Sequence, residues 1–158
     1  EVLGVARLHL MESGRKVDYR LSSAESLAAA EPGSYDVVAC MEMLEHVPDP
    51  TSIVAALSHL VKPDGHVFAS TLNRTMKSYA LAILGAEYVW RLLPTGTHTY
   101  EKFIRPSELK LWSRAAGLTL IDIAGLDYDP FTHQARLTMD ASVNYLVHLR
   151  HDRPTAAA

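Results

Sequence analysis

The sequence predicts one domain with a doubly wound α/β fold. Predicted helices and strands alternate over the first 72 residues, short connections join them, and residues 35–40 (YDVVAC) form a β-branched run typical of a strand buried on both faces. Strands joined by crossover helices give a mostly parallel sheet. The length of 158 residues is also typical of a single domain.

The first 72 residues contain three predicted helices and three predicted strands. Gly14 stands where a glycine often ends a helix, and the turn Glu31-Pro32-Gly33-Ser34 separates a helix from a strand. Thr51 can cap the third helix, which we expect to end before Lys62-Pro63-Asp64-Gly65. The predicted helices are residues 1–13, 22–30 and 51–60, and the predicted strands are residues 17–21, 35–40 and 66–72.

The second half of the chain has a different pattern. Residues 75–93 form one long helical pattern with almost no polar side, and a polar loop follows at 94–100. A helix over 107–116 is predicted between Pro106 and Gly117. Strands at 118–123 and 143–149 would then form an antiparallel closing hairpin. We therefore expect a domain over 1–152 with an apolar insert at 75–98, and a tail at 153–158.

Composition excludes several classes of protein. The net charge of -3 lacks the basic character of nucleic-acid binders, so we expect no nucleic-acid partner. The single cysteine, Cys40, excludes an internal disulfide framework and any CxxC motif. The charge is uneven, because residues 62–114 carry a net charge of +4. An acidic first third and a basic middle predict different partners for the two regions.

Two predicted strand ends carry polar residues, and parallel α/β sheets bind ligands beyond such ends. The first is MEMLEH (41–46), and the second is STLNR (70–74). In a helical turn, Glu42, Glu45 and His46 would share one face. Two carboxylates and an imidazole can bind Mg²⁺, Mn²⁺ or Zn²⁺. The spacing equally fits a solvated acidic turn with nothing bound.

The apolar segment 77–93 also has two interpretations. It is too short and too charged to span a membrane. It could be a helix buried in the core or covering the site. It could instead lie at a lipid surface, with Tyr88 and Trp90 at headgroup depth and basic residues facing anionic lipid. Those basic residues are Lys77, Arg91, Lys102 and Arg105.

Four stretches of the chain form a specific combination of motifs: YDVVACMEMLEHVPDP (35–50), VKPDGHVFASTLNRTMKSYALAILGAEYV (61–89), LLPTGTHTYEKFIRPSEL (92–109) and VNYLVH (143–148). Together they closely resemble the ubiquinone biosynthesis O-methyltransferases. The resemblance covers nearly the whole chain. It implies a Rossmann-like class I fold and S-adenosylmethionine (SAM)-dependent methylation of phenolic hydroxyls on polyprenylated catechols, at two steps of ubiquinone synthesis.

The resemblance also implies roles for particular residues. Met41 would lie against SAM, and Ser23 and Ala24 would lie near its adenine. Glu42, Glu45 and His46 would ligate a divalent metal, expected to be Mg²⁺. The insert at 75–98 would face lipid and admit the isoprenoid tail. The expected location is cytoplasmic, peripheral to a bacterial inner membrane or on the matrix side in mitochondria, with possible partners from the same biosynthetic route.

One part of the family pattern is absent from these 158 residues. The family's first strand, its glycine-rich SAM loop and the acidic residue after its second strand would all precede Glu1. Glu1 itself stands within a helical pattern, so we expect the chain to be an N-terminally truncated fragment that binds SAM weakly or not at all. A non-catalytic lipid- or partner-binding module, and a SAM methyltransferase for another small substrate, are the alternatives.

The chemistry of a phenol gives the candidate residues a function. A free phenol has a pKa of about 10 and is mostly protonated at neutral pH. A metal bound to both catechol oxygens would lower that pKa and orient the nucleophile. His46 could alternatively act as the general base. The convergence of three donors favours the ligand role, but one imidazole can hardly serve both.

Overall fold

The computed structural model describes residues 2–80, 99–129, 132 and 134–152. The α-helices in these ranges are α1 (Val2–Ser13), α2 (Ala24–Ala30), α3 (Pro50–Leu60), the short α4 (Met76–Ser78) and α5 (Pro106–Ala115). The strands are β1 (Tyr35–Met41), β2 (Val61–Leu72), β3 (Leu118–Asp129), β4 (Gln134–Thr138) and β5 (Asn144–His151). Short 3₁₀ turns cover Leu44–His46 and Tyr100–Lys102.

The five strands form one mixed sheet in the order β1-β2-β5-β3-β4. Strands β1 and β2 pair in parallel, whereas β5 pairs antiparallel with both β2 and β3. Strands β1, β2 and β3 therefore run in one direction, with β5 inserted between β2 and β3 in the opposite direction. The prediction of an α/β sheet closed by an antiparallel final strand is confirmed.

One face of the sheet carries the hydrophobic core. Val67, Ala69 and Val147 project from this face and are almost completely buried. They pack in one cluster with Val54 and Leu57 of α3, and Leu109 of α5 joins the same cluster. On the opposite face of the described sheet, Val37 and Met41 of β1 are about half exposed, at 54% and 49%.

Two predicted elements differ from the structure. Residues 17–21 are not a strand, because no described strand pairs with them. Arg20 instead forms ion pairs with Asp18 and Glu31. A groove of about 510 Å³ lies between residues 18–20 and the outer edge of β1. Strand β4 was not predicted; its Arg136 pairs with Asp127 across the hairpin.

The structure describes only residues 75–80 of the region that was predicted as a long helix over 75–93. Thr75 caps α4 in a capping box with Ser78, whose backbone N–H lies 3.0 Å from the Thr75 Oγ1 acceptor. The remainder of that prediction, from residue 81, lies outside the described residues, as does the loop predicted over 94–98. No helix among the described residues is long and apolar enough to cross a membrane.

Candidate active site at the ends of β1 and β2

A sharp turn follows β1 at the candidate site. Met41 is the last strand residue and lies opposite Ser70 of β2. Glu42 has a φ of 49°, in the left-handed region that non-glycine residues rarely adopt. Its backbone N–H donates to both the carbonyl oxygen and Oγ of Ser70, each at 3.1 Å. These hydrogen bonds hold the turn against the end of β2.

Leu44 and Glu45 lie beneath the surface of this turn. Leu44 is 1% exposed and belongs to the main core cluster. Glu45 is 3% exposed, and its Oε2 accepts a hydrogen bond of 2.7 Å from Thr71 Oγ1. Its Oε1 is buried with no hydrogen-bond partner among the described residues. Because unsatisfied buried acceptors destabilise a protein, this atom is the notable polar feature of the site.

The three predicted metal ligands do not share one helical face as we expected. Glu42 precedes the 3₁₀ turn and is set apart from it by its left-handed backbone. Glu42 and His46 are exposed, whereas Glu45 is buried. Within the described part of the chain, no group of three His, Cys, Asp or Glu side chains is placed to hold a metal ion. The donor types suit a divalent cation, but their arrangement does not.

The residues expected near SAM lie at two places. Met41 is half exposed at the end of β1. Ser23 caps α2, accepting from Ser26 N at 3.1 Å, and Ala24 packs against the core. The next residue, Glu25, accepts a 3.0 Å hydrogen bond from Ser52 Oγ of α3. The start of α2 therefore lies beside the start of α3, the helix that follows the Met41–His46 turn.

Burial raises the pKa of two further ionisable groups near the site. The Cys40 thiol is 4% exposed, and this burial, helped by the nearby Glu45, raises its pKa to about 11. Burial likewise raises the pKa of the Tyr145 hydroxyl, with smaller contributions from Glu108 and Glu45. Tyr145 donates to the Ile104 carbonyl at 3.0 Å. Both groups are therefore neutral near pH 7 and act in packing and hydrogen bonding.

Sequence reasoning placed the STLNR segment at a ligand-binding strand end but gave its side chains no separate functions. In the structure, Thr71 holds Glu45, and Arg74 Nε donates to the Phe103 carbonyl at 2.7 Å. Arg74 also pairs with Glu108 at 3.0 Å. The partners are 26 to 34 residues apart, so no local pattern could reveal them. The only available signal was the run of polar residues at a strand end.

The comparisons with known proteins agree with this fold. A family model described as a methyltransferase domain matches residues 7–123. A putative methyltransferase from Bacillus halodurans has a TM-score of 0.64 at 14% identity, covering 96% of this chain and 79% of that one. A SAM-dependent methyltransferase from Thermotoga maritima has a TM-score of 0.61 at 14% identity, covering 92% and 70%. The chain belongs to the methyltransferase domain family and has its Rossmann-like class I fold.

More similar relatives define the branch of that family. The chain is 60% identical over 145 residues to the ubiquinone biosynthesis O-methyltransferase of Stutzerimonas stutzeri, covering 92% of this chain and 62% of the relative. It is 61% identical over 150 residues to the protein of that name from Burkholderia thailandensis, covering 95% and 65%. The resemblance found in the sequence is therefore confirmed. The chain spans slightly less than two thirds of the length of these curated relatives.

Proposed function

We propose that this chain is part of a SAM-dependent O-methyltransferase that methylates phenolic hydroxyls of polyprenylated catechol intermediates in ubiquinone biosynthesis. The two substrates would be 3-demethylubiquinol and 2-polyprenyl-6-hydroxyphenol. The observation that carries this proposal is the identity of about 60% to ubiquinone biosynthesis O-methyltransferases over more than nine tenths of the chain. The polar turn at the ends of β1 and β2 lies where α/β sheets bind ligands.

The reaction requires a deprotonated phenol aligned with the methyl donor. The phenolate oxygen forms a bond to the methyl carbon while the bond from that carbon to the sulfonium sulfur breaks, leaving a neutral thioether. Before that step the phenol proton must move to a base. We assign this function to His46, which is exposed at the end of the turn after β1. Met41, half exposed at the same strand end, would contact SAM, with Ser23 and Ala24 near its adenine.

A test of the base uses His46→Gln. The expected result is a large fall in kcat and loss of the limb of the pH–rate profile that reports the base, because glutamine cannot accept the phenol proton. His59→Gln is the matched control, because His59 is an exposed histidine on α3. A His46→Gln enzyme with an unchanged pH profile would show that another group takes the proton.

Metal binding by Glu42, Glu45 and His46 stays a separate prediction, in which His46 would be a metal ligand and another group would have to be the base. A divalent cation would supply Lewis-acid activation of the catechol oxygens. The reaction above uses no such step, because the described arrangement of the three side chains does not form a metal-holding group. Titration with Mn²⁺, followed by electron paramagnetic resonance, tests this independently of activity. Saturable binding that Glu42→Gln and Glu45→Gln abolish would support the site, and no binding would oppose it.

Membrane contact through residues 77–93 is a further proposal, supported by their apolar sequence, by Tyr88 and Trp90, and by the basic balance of the region. It would place the protein at the cytoplasmic face of an inner membrane, or on the matrix side in mitochondria. Flotation with phosphatidylglycerol vesicles tests it. We expect binding that salt weakens and that Leu84→Asp or Trp90→Asp removes without loss of the circular dichroism signal. No vesicle binding at low salt would oppose it.

The activity itself is tested with two proteins. One is this chain alone, and the other is this chain joined to the part of the Stutzerimonas stutzeri relative that lies outside the match. We expect the joined protein to methylate 2-polyprenyl-6-hydroxyphenol and the chain alone to bind SAM weakly or not at all in calorimetry. Methylation of tail-less catechols as fast as that of 2-polyprenyl-6-hydroxyphenol would indicate that the enzyme acts on another small substrate. No methylation of any catechol would indicate a non-catalytic binding module.

A further inference from the structure

Asn73 follows the last residue of β2, at the edge of the sheet that carries the candidate site. Its N–H donates to the Val143 carbonyl at 2.8 Å, so the pairing of β2 with the chain that leads into β5 continues through this residue. Residues two apart on an extended chain point to the same face and lie about 7 Å apart. Asn73 therefore shares a face with Thr71, whose hydroxyl donates to Glu45. This places Asn73 beside the turn that contains Glu45 and His46.

Hydrogen bonds fix the orientation of the Asn73 amide. Its Nδ2 donates to the Ala141 carbonyl at 2.8 Å. Because a carbonyl oxygen only accepts, the amino group of the amide must face Ala141, and Oδ1 must occupy the other position. The backbone is held as well, since the Asn73 carbonyl accepts from Thr75 N at 2.9 Å and from Ser78 Oγ. The position of Oδ1 is therefore set before any ligand binds.

The Oδ1 atom of Asn73 is an acceptor that is open to a ligand. Among the residues that the structure describes, no hydrogen-bond donor reaches this oxygen. It is also not a fully buried atom, because the buried side-chain atoms without a partner in the described ranges belong to Glu45, Ser113 and Ser142. Asn73 as a whole is only 9% exposed. The small exposed part thus presents a single oriented oxygen, which suits a hydroxyl donor.

We propose that Asn73 Oδ1 accepts a hydrogen bond from the catechol hydroxyl that is not methylated, and that this contact makes the site selective for vicinal diols. The inference rests on the proposed function, because it places the phenolic ring at this edge of the sheet. One hydroxyl gives its proton to His46, whereas its neighbour on the ring keeps its proton and can donate. A phenol without the second hydroxyl would displace water from Oδ1 and leave this acceptor unpaired, which weakens binding.

The test measures the binding of two phenols to the joined protein described above. Calorimetry with S-adenosylhomocysteine, the thioether that methyl transfer leaves, compares 2-geranyl-6-hydroxyphenol with 2-geranylphenol, which lacks the second hydroxyl. We expect the wild type to bind the diol about tenfold more tightly, and Asn73→Ala to bind both phenols within about twofold of each other. Asn144→Ala is the matched control and should keep the preference, because Asn144 Oδ1 already accepts from Leu126 N at 3.3 Å. No preference in the wild type, or an unchanged preference in Asn73→Ala, would overturn the inference.

A second variant separates hydroxyl binding from a purely structural role. Asn73→Asp and Asn73→Ala both lose the donor to Ala141, but only the aspartate keeps an oxygen acceptor. We expect Asn73→Asp to retain most of the preference for the diol, with circular dichroism showing that both variants are folded. Equal loss of the preference in the two variants would show that Asn73 only anchors Ala141.

Methylation by the wild-type joined protein is measured separately. Methylation with a preference for the diol that does not depend on Asn73 would overturn this inference and leave the proposed function standing. Binding of the diol that depends on Asn73, without methylation of any catechol, would overturn the proposed function and leave the diol site.

Discussion

The hydrogen bond between Thr71 and Glu45 predicts a measurable stability change. Thr71 is fully buried and Glu45 is 3% exposed, and the Thr71 hydroxyl donates a hydrogen bond of 2.7 Å to this carboxyl. Thr71→Val keeps the shape of the side chain and removes the donor. Because the other carboxyl oxygen already has no partner in the described part of the chain, the variant leaves the whole group unsatisfied.

The expected magnitude follows from that geometry. Leaving a buried acceptor without a partner costs about 1–3 kcal/mol, so we expect the free energy of unfolding to fall by about 2 kcal/mol. For a chain of this size each kcal/mol lowers Tm by about 2–4 °C, which gives a fall of about 4–8 °C. Thr71→Ser keeps the hydroxyl and loses one methyl group, so its cost should be about 1 kcal/mol.

Urea and thermal unfolding followed by circular dichroism measure both variants. A double-mutant cycle with Glu45→Met then isolates the pair. In the Glu45→Met background the carboxyl is gone, and Thr71→Val should be nearly neutral, because exchanging both partners for apolar groups leaves nothing unsatisfied. The reasoning is refuted if Thr71→Val is as stable as Thr71→Ser, or if its cost is the same in both backgrounds.

Three further predictions concern other parts of the chain. Asp49→Ala should lower the free energy of unfolding by about 1 kcal/mol, because Asp49 Oδ1 accepts from the first backbone N–H groups of α3; Asp49→Asn, which keeps the cap, should cost less in urea unfolding. The buried Cys40, whose pKa is raised to about 11, should react with iodoacetamide at pH 8 only as the chain unfolds, so rapid labelling of the native chain by mass spectrometry would contradict its burial. The Lys77 hydrogen bond lowers the pKa of Asp140 to about 2; this stabilisation is present above the unfolded pKa of about 3.9 and is lost as the pH falls towards 2. The Tm difference between the wild type and Asp140→Asn should therefore vanish near pH 2, and a pH-independent difference would argue against the ion pair.

The sequence predicted those elements that local pattern determines. Helix α3 covers the predicted residues 51–60, but it begins at Pro50 and is capped by Asp49, so the prediction of a Thr51 cap was wrong. Helix α5 lies between Pro106 and Gly117 as expected. Strand β1 was recognised because a β-branched run between turn residues favours a strand over a helix. For residues 17–21 the alternating pattern was correct for a strand, but a strand also needs a backbone partner. Pattern alone does not supply that partner.

The sequence placed the candidate residues directly after strand β1, where the structure has them, but it did not predict their arrangement. The i, i+3, i+4 spacing assumed a continuous helical turn, whereas the backbone of Glu42 is left-handed. Leu44 packs into the core, and the adjacent Glu45 is buried beside it. These outcomes depend on tertiary packing and on contacts with β2. The local spacing therefore identified which residue types lie at the site, but not the directions in which their side chains point.

The central position of β5 has a consequence for how the sheet folds while the chain is being synthesised. Strand β2 ends at Leu72, yet its inner neighbour β5 begins only at Asn144. During synthesis β2 and β3 therefore emerge from the ribosome with no strand to join them, each with an unpaired edge. Such contacts between distant residues form slowly, and exposed edges favour aggregation. Folding of this sheet depends on its latest strand, so the nascent chain should need protection by chaperones until β5 has emerged.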